Sequence, residues 1–233
     1  MKDKKKLKSP ESSKKDTAHK AIKAGLSLLP AGGAAAEFFN SIIVPPLEKR
    51  RQQWIEEVTQ YLNELKDKKG IDLESLQLND KFITTVMQAT QSAIRNHQRE
   101  KLVSLRNAIL NSALPESPDE SLQSMFLNYV DTFTVWHLKI LDLFHNPSDW
   151  AKRNNHQFQE YYSAGMNTTL ESAFPELYEQ RSFYDQIWKE LYSHGLVSTD
   201  SLHGMVTGQS LLNSLTTEMG DKFLNFISNP MES

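Results

Sequence analysis

The chain has 233 residues, 39% of them hydrophobic and 24% charged, a globular composition long enough for one large domain or two small ones. It contains no cysteine, which excludes disulfides, thiolate zinc sites and cysteine nucleophiles and fits a reducing compartment. The formal charge of −3 conceals an asymmetry: residues 1–23 carry nine lysines against three acids, whereas residues 176–233 carry three basic residues against eight acids.

A basic tail on an acidic body meets phosphate or a lipid surface, or else serves as a solvated tail that aids solubility. Nine glycines and nine prolines supply few of the tight turns that a sandwich or barrel needs. Residues 1–16, with Met1 and Leu7 almost their only apolar side chains, are predicted to be a disordered lysine-rich tail that includes Lys4, Lys5 and Lys6.

From Ala18 the pattern turns helical. Ala18, Ala21, Ile22, Gly25, Leu26 and Leu29 share one face, with Lys20, Lys23 and Ser27 elsewhere on the wheel. Pro30, Gly32 and Gly33 break this helix. A second short helix places Ala35, Phe38, Phe39, Ile42 and Ile43 on one face and Glu37, Asn40 and Ser41 on the other, and Pro45 and Pro46 are expected to end it.

A longer amphipathic helix then opens near Leu47, with Trp54, Ile55, Val58, Tyr61, Leu62 and Leu65 in its stripe, and stops at Gly70. The next helix is capped by Asn79 or Asp80 and carries Phe82, Ile83, Val86, Met87, Ala89, Ala93 and Ile94. Its stripe resumes at Leu102, Leu105 and Ile109 beyond the polar run Arg95–Lys101, which reads as a bend or as an exposed stretch of one long helix. Ser117, Pro118 and Glu120 form a start signal of serine cap, first-turn proline and glutamate at N3. Thr132 or Thr134 caps the helix of Phe133, Trp136, Ile140, Leu141 and Phe144. Asn146–Pro147 starts another before Trp150, and Pro175 starts the helix of Tyr184, Ile187, Trp188 and Leu191. Gly195 stops that helix, and the rest reads as short strand (Leu196, Val197), loop, short strand (Leu215–Thr217) and a final helix with Phe223, Leu224, Phe226 and Ile227. This is the layout of a winged-helix end.

Little chemistry stands out. None of the seven histidines falls in a close ligand spacing. His137 and His145 are about 12 Å apart along a helix axis, too far to share a metal ion directly. Asp142 and His145 lie one turn apart, a spacing more often structural than functional. Gly32–Gly33 follows a helix rather than a strand, the wrong context for a phosphate-cradling loop, and no G-x-S-x-G elbow occurs. No catalytic residue, metal or cofactor is expected, and the chain reads as non-enzymatic.

Residues 24–47 hold one charge, Glu37, but the run is broken at Pro30–Gly33, so neither a simple spanning helix nor a signal peptide is expected. Two readings stay open. The pieces pack as a helical hairpin on the body, or the tail and hairpin form a conditional membrane element whose lysines attract anionic headgroups. The residues that would carry contact with membrane or partner are Lys4, Lys5, Lys6, Lys20, Ile22, Lys23, Leu26, Leu29, Phe38, Phe39, Ile42 and Ile43.

The segment LSLLPAGGAAAEFFNSIIVPP leading into EKRRQQWIEEV, the pair RNAILNSA and FTVWHLKILDLF, and the ending LYSHGLV then LTTEMGDKFLNFI resemble bacterial abortive-infection alpha-type helical proteins. The resemblance implies a cytoplasmic bacterial protein of antiviral or stress defence and brings no catalytic residues with it. The expected fold is mainly α, a multi-helix bundle with a small winged-helix-like C-terminal α/β end. Its expected divisions are residues 1–16, 17–46, 47–175 and 176–233. The expected partners are a protein, an anionic surface at the inner face of the membrane and, non-specifically, nucleic acid. The alternative is a nucleic-acid-associated regulator using the lysine tail and the winged-helix-like end.

Overall fold

The computed structural model describes residues 33–232. The lysine tail and the first expected helix, with Lys4, Lys5, Lys6, Lys20, Ile22, Lys23, Leu26 and Leu29, lie outside the described residues. Within them the chain is mainly helical. Ten α-helices run in order: α1 (Gly33–Lys69), α2 (Leu73–Leu76), α3 (Asp80–Arg95), α4 (Arg99–Ser112), α5 (Glu120–Thr132), α6 (Val135–His145), α7 (Pro147–Arg153), α8 (Asn167–Ala173), α9 (Arg181–Ser193) and α10 (Glu218–Ile227). Two short strands, β1 (Ser163–Gly165) and β2 (Met205–Thr207), pair antiparallel with Ala164 opposite Val206.

The chain divides into two compact units between Glu116 and Ser117, inside the stretch 47–175 expected to be one body; residues from Asn229 onward belong with the first unit. In the first unit α1 packs on α3 and α4, and α3 on α4. Trp54, Val58, Leu62 and Leu65 of α1 are buried, as their spacing requires. Trp54 Nε1 donates to Thr90 Oγ1 at 3.0 Å, which satisfies the indole as it leaves water. Gly70 follows α1 with φ +71°, a conformation that costs a side-chain-bearing residue steric energy.

The largest departure from expectation is at Pro45–Pro46. These prolines were expected to end a helix, but α1 runs through them without interruption. Each lacks the N–H that would bond the carbonyl four residues back, so the ladder loses two bonds there. Helix is nevertheless present on both sides of the prolines, and Val44, just before them, is buried. The expected division between residues 46 and 47 therefore falls inside one helix.

On α3 the buried face is Thr85, Ala89, Ser92 and Ala93 rather than the bulky stripe. Small side chains at this spacing let α3 approach its neighbours closely, and Ile83 and Met87 are displaced to the rim at 37% and 58% exposure. The polar run after Arg95 is a bend, with Asn96 as the C-cap of α3 and α4 starting at Arg99. Lys101, at the end of that polar run, is buried.

The second unit is built on α6, which is buried along most of its length and packs against α9 and α10. Phe126 of α5 meets Phe223 and Phe226 of α10 at ring centroids of 5.4 and 5.8 Å, and Phe144 of α6 meets Trp188 of α9 edge-on at 5.0 Å. The start signal assigned to Ser117 belongs to Asp119, whose side chain accepts from Leu122 N while Pro118 stays outside the helix. Pro175 opens only a 3₁₀ turn, because Glu179 turns to φ +67° and α9 starts afresh at Arg181. The strands expected at Leu196–Val197 and Leu215–Thr217 meet in one antiparallel bridge, Val197 with Thr216. The β1–β2 pair was not foreseen, since Ser-Ala-Gly in β1 carries no strand-forming pattern.

Candidate functional site

Three places in the described residues have the shape or chemistry of a site. The first is the N-terminal end of α1, where Phe38, Ile42 and Ile43 are 59%, 48% and 48% exposed. At 100° per residue these side chains fall within one arc of the helix, with Glu37 and Ser41 on the other side. Ser41 Oγ donates to Phe38 O at 2.7 Å, folding its hydroxyl back on the helix. The helix is fixed further along, where Trp54, Val58, Leu62 and Leu65 are buried in the first unit. This is the part of the expected contact set that the structure displays. The side chain of Phe39 lies outside the described residues.

The second place is a shallow apolar groove of about 220 Å³ in the first unit, between the C-terminal end of α1, α2 and the start of α3. Leu62, Leu76, Phe82, Ile83 and Met87 line it, and Leu78 beside it is 87% exposed.

The third is a cleft of about 530 Å³ in the second unit, lined in part by Ser148, Phe158, Tyr161, Ser172 and Leu211. His156 Nε2 lies 3.1 Å from Ser172 Oγ at its edge, with the imidazole edge-on to Trp150 and Phe158. A serine activated by histidine needs a hydrogen-bond chain that orients the far imidazole nitrogen and donors for the developing oxyanion. Among the described residues neither is seen here, and the pair ties the loop after α7 to α8.

In the second unit histidine meets carboxylate between separate parts of the chain. His137 Nε2 lies 2.9 Å from Glu190 Oε2, His145 Nδ1 2.9 Å from Asp221 Oδ1, and His203 Nε2 2.7 Å from Asp185 Oδ1. The first two join α6 to α9 and to α10. Asp142 does not meet His145; it pairs with Arg153 at 2.9 Å. Sequence reasoning missed His137 as a buried cap: its Nδ1 lies 3.1 Å from Thr134 N, in the position that glutamate usually takes in a capping box. The signal available was a histidine three residues after a threonine cap. Among the described residues no group of three or more His, Asp and Glu side chains has metal-binding geometry.

The carboxyl of Glu190 is held below its usual range, first by the hydrogen bond from Gln186 and then by His137, against the opposing effect of burial. A carboxylate whose native pKa lies below its unfolded value adds stability above the unfolded value, and that increment is lost as pH falls through the native one. Glu190→Gln is therefore expected to flatten the acid limb of the stability–pH curve below about pH 4.5, the ordinary glutamate range. Urea unfolding at a series of pH values reads this directly. Parallel acid limbs for the two proteins would contradict it.

Among the described residues no helix is long and apolar enough to cross a membrane. Comparison with protein-family models, curated proteins and solved structures finds no match to this chain.

Proposed function

We propose that the chain is a helical effector or interaction protein that engages an anionic membrane surface through the N-terminal end of α1 and the lysine-rich residues before it. The observation that carries this reading is the exposure of Phe38, Ile42 and Ile43 on one arc of a helix anchored elsewhere in the first unit. Nine lysines within residues 1–23 supply the complementary charge, each worth about 1 kcal/mol near an anionic surface. An interfacial helix needs no span; it needs an apolar arc and nearby cations. The likeness to abortive-infection alpha-type proteins would place the activity in bacterial antiviral or stress defence, with the protein cytoplasmic and peripheral at the inner membrane face. We read the end from α9 to α10 as winged-helix-like, supported by the Val197–Thr216 bridge between its helices. Its three basic residues against eight acids favour a protein contact there over DNA.

Flotation with phosphatidylcholine–phosphatidylglycerol vesicles tests the reading. Each of the three side chains is about half exposed, so transfer of the exposed part contributes roughly 1 kcal/mol. Together they are worth about a hundredfold in affinity. Phe38→Ser/Ile42→Ser/Ile43→Ser is expected to lose that factor. Equal flotation of variant and parent would leave only the tail as ligand, and equal binding to purely neutral vesicles would remove the role of charge. Retention on nucleic acid but not on vesicles would favour a regulator instead.

A further inference from the structure

The cleft of the second unit carries polar side chains that the fold itself leaves unused. It lies among the start of α7, residues 157–161, α8 and the 3₁₀ turn Gly208–Leu212. Its volume of about 530 Å³ falls within the range of about 300–1,000 Å³ typical of small-molecule sites. Part of the lining serves the fold. Thr168 Oγ1 donates to Gly165 O at 2.7 Å, Thr169 Oγ1 donates to Leu211 O at 3.2 Å, and Ser172 meets His156. Ser148, Gln157 and Glu160 line the same cleft, and among the described residues their side chains have no hydrogen bond or ion pair.

Two aromatic rings beside these groups are held in place. Phe158 packs on Trp150 and His156 at ring centroids of 6.2 and 4.8 Å, and Tyr161 Oη donates to Gln159 Oε1 at 3.0 Å. A methyl on Gly208 would overlap the Tyr161 carbonyl oxygen, so glycine lets the 3₁₀ turn close on this wall, where Gly208 N donates to Tyr162 O at 3.0 Å. The walls are thus tied to one another without a ligand, which limits the ordering that binding would require.

The lining selects a ligand class. Among the described residues no lysine or arginine lines the cleft, so nothing there neutralises a phosphate or a carboxylate. An apolar ligand would bury Gln157 and Glu160 unpaired, which is unfavourable. An ammonium suits Glu160 but only donates, and leaves the Ser148 hydroxyl and the Gln157 amide N–H without acceptors. A neutral sugar ring meets all three. Its hydroxyls donate to the carboxylate and both donate to and accept from the serine and the amide, while its C–H face lies on an aromatic ring. We propose that this cleft binds an uncharged saccharide through Ser148, Gln157 and Glu160, with Phe158 and Tyr161 as its apolar floor. The site belongs to the second unit alone, so the proposal stands apart from the membrane reading.

Ligand-observed NMR titration of the full chain with glucose, N-acetylglucosamine, maltose and cellobiose tests it. At least one of these is expected to bind with a Kd of about 1 mM or lower. Glu160→Gln and Gln157→Ala lie at exposed positions, so their unfolding midpoints are expected to match the parent. Each is expected to weaken binding about five- to tenfold through lost hydrogen bonds. Glucose 6-phosphate is expected to bind more weakly than glucose, because its phosphate meets Glu160 and no cation. Four results would each overturn the proposal: no saccharide of the four binding below about 10 mM, equal affinity of both variants and parent, tighter binding of glucose 6-phosphate than of glucose, or binding of adenosine with none of the saccharides.

Discussion

Glu57→Leu is expected to destabilise the first unit by about 3 kcal/mol, because it strands a buried positive charge. Arg106 on α4 is 4% exposed, its Nη1 donates to Glu57 Oε1 on α1 at 2.7 Å, and its guanidinium lies 3.7 Å from the centre of the Tyr61 ring. Nη2 donates to Asn107 Oδ1, while the buried Nε has no acceptor, so this cation is already incompletely satisfied. Arg99, at 3.9 Å from Glu57, is a second cation and leaves Arg106 no substitute for the lost carboxylate. The Glu57 side chain keeps 24% exposure, which sets the expected loss at the lower end of the 3–5 kcal/mol range for breaking a buried pair.

Removing the other partner is expected to cost less. In Arg106→Met the carboxylate left behind still reaches water, and the methionine fills the site over Tyr61. The double replacement is expected to recover part of the loss from Glu57→Leu, since a buried pair replaced by apolar groups of similar volume is often neutral. Urea unfolding of the two single variants and the double variant closes the cycle. Equal losses for the two single variants, with strict additivity, would mean that the pair is not coupled.

Gly220→Ala is expected to destabilise the second unit, although alanine in place of glycine usually strengthens a helix by about 1 kcal/mol. Gly220 lies in the first turn of α10, and a methyl there would sit 2.2 Å from the Leu196 carbonyl oxygen. That oxygen is backbone and accepts the Thr217 N–H at 3.0 Å, so it cannot rotate away. Relief requires α10 to shift, which disturbs the Phe223 and Phe226 contacts with Phe126. The net loss is expected near the top of the 1–3 kcal/mol range for overpacking. Thermal unfolding of the variant reads it, and a raised midpoint would show that the approach relaxes without loss.

Much of the helical framework was legible because it rests on local chemistry. Gly70 and Gly195 end helices with φ near +70°, where a Cβ is disfavoured, and Asn79, Asn146 and Thr134 sit at caps as their spacing indicates. Local signals failed where the neighbourhood decided. Pro45–Pro46 reads as a stop, yet helix on both sides carries the chain through it. Thr85 and Ser92 are buried ahead of Ile83 and Met87 because a close crossing favours small side chains over apolar ones. Arg106 sits inside RNAILNSA with nothing to mark its partner 49 residues away, and His137 finds Glu190 53 residues away. In the candidate site, the arc of Phe38, Ile42 and Ile43 was legible from the wheel, while its exposure on a helix continuous to Lys69 was not.

The central claim is that this arc enters a lipid interface. A polarity-sensitive dye on Ile42→Cys, the only thiol in the chain, measures it most directly. On titration with phosphatidylcholine–phosphatidylglycerol vesicles, the dye is expected to shift its emission to the blue and to become accessible to quenchers carried on the acyl chains. The same dye on Gln52→Cys, on the stretch of α1 beyond the prolines, is expected to do neither. Vesicle binding with no change at position 42 would show that the lysine tail alone holds the surface, and would contradict the claim.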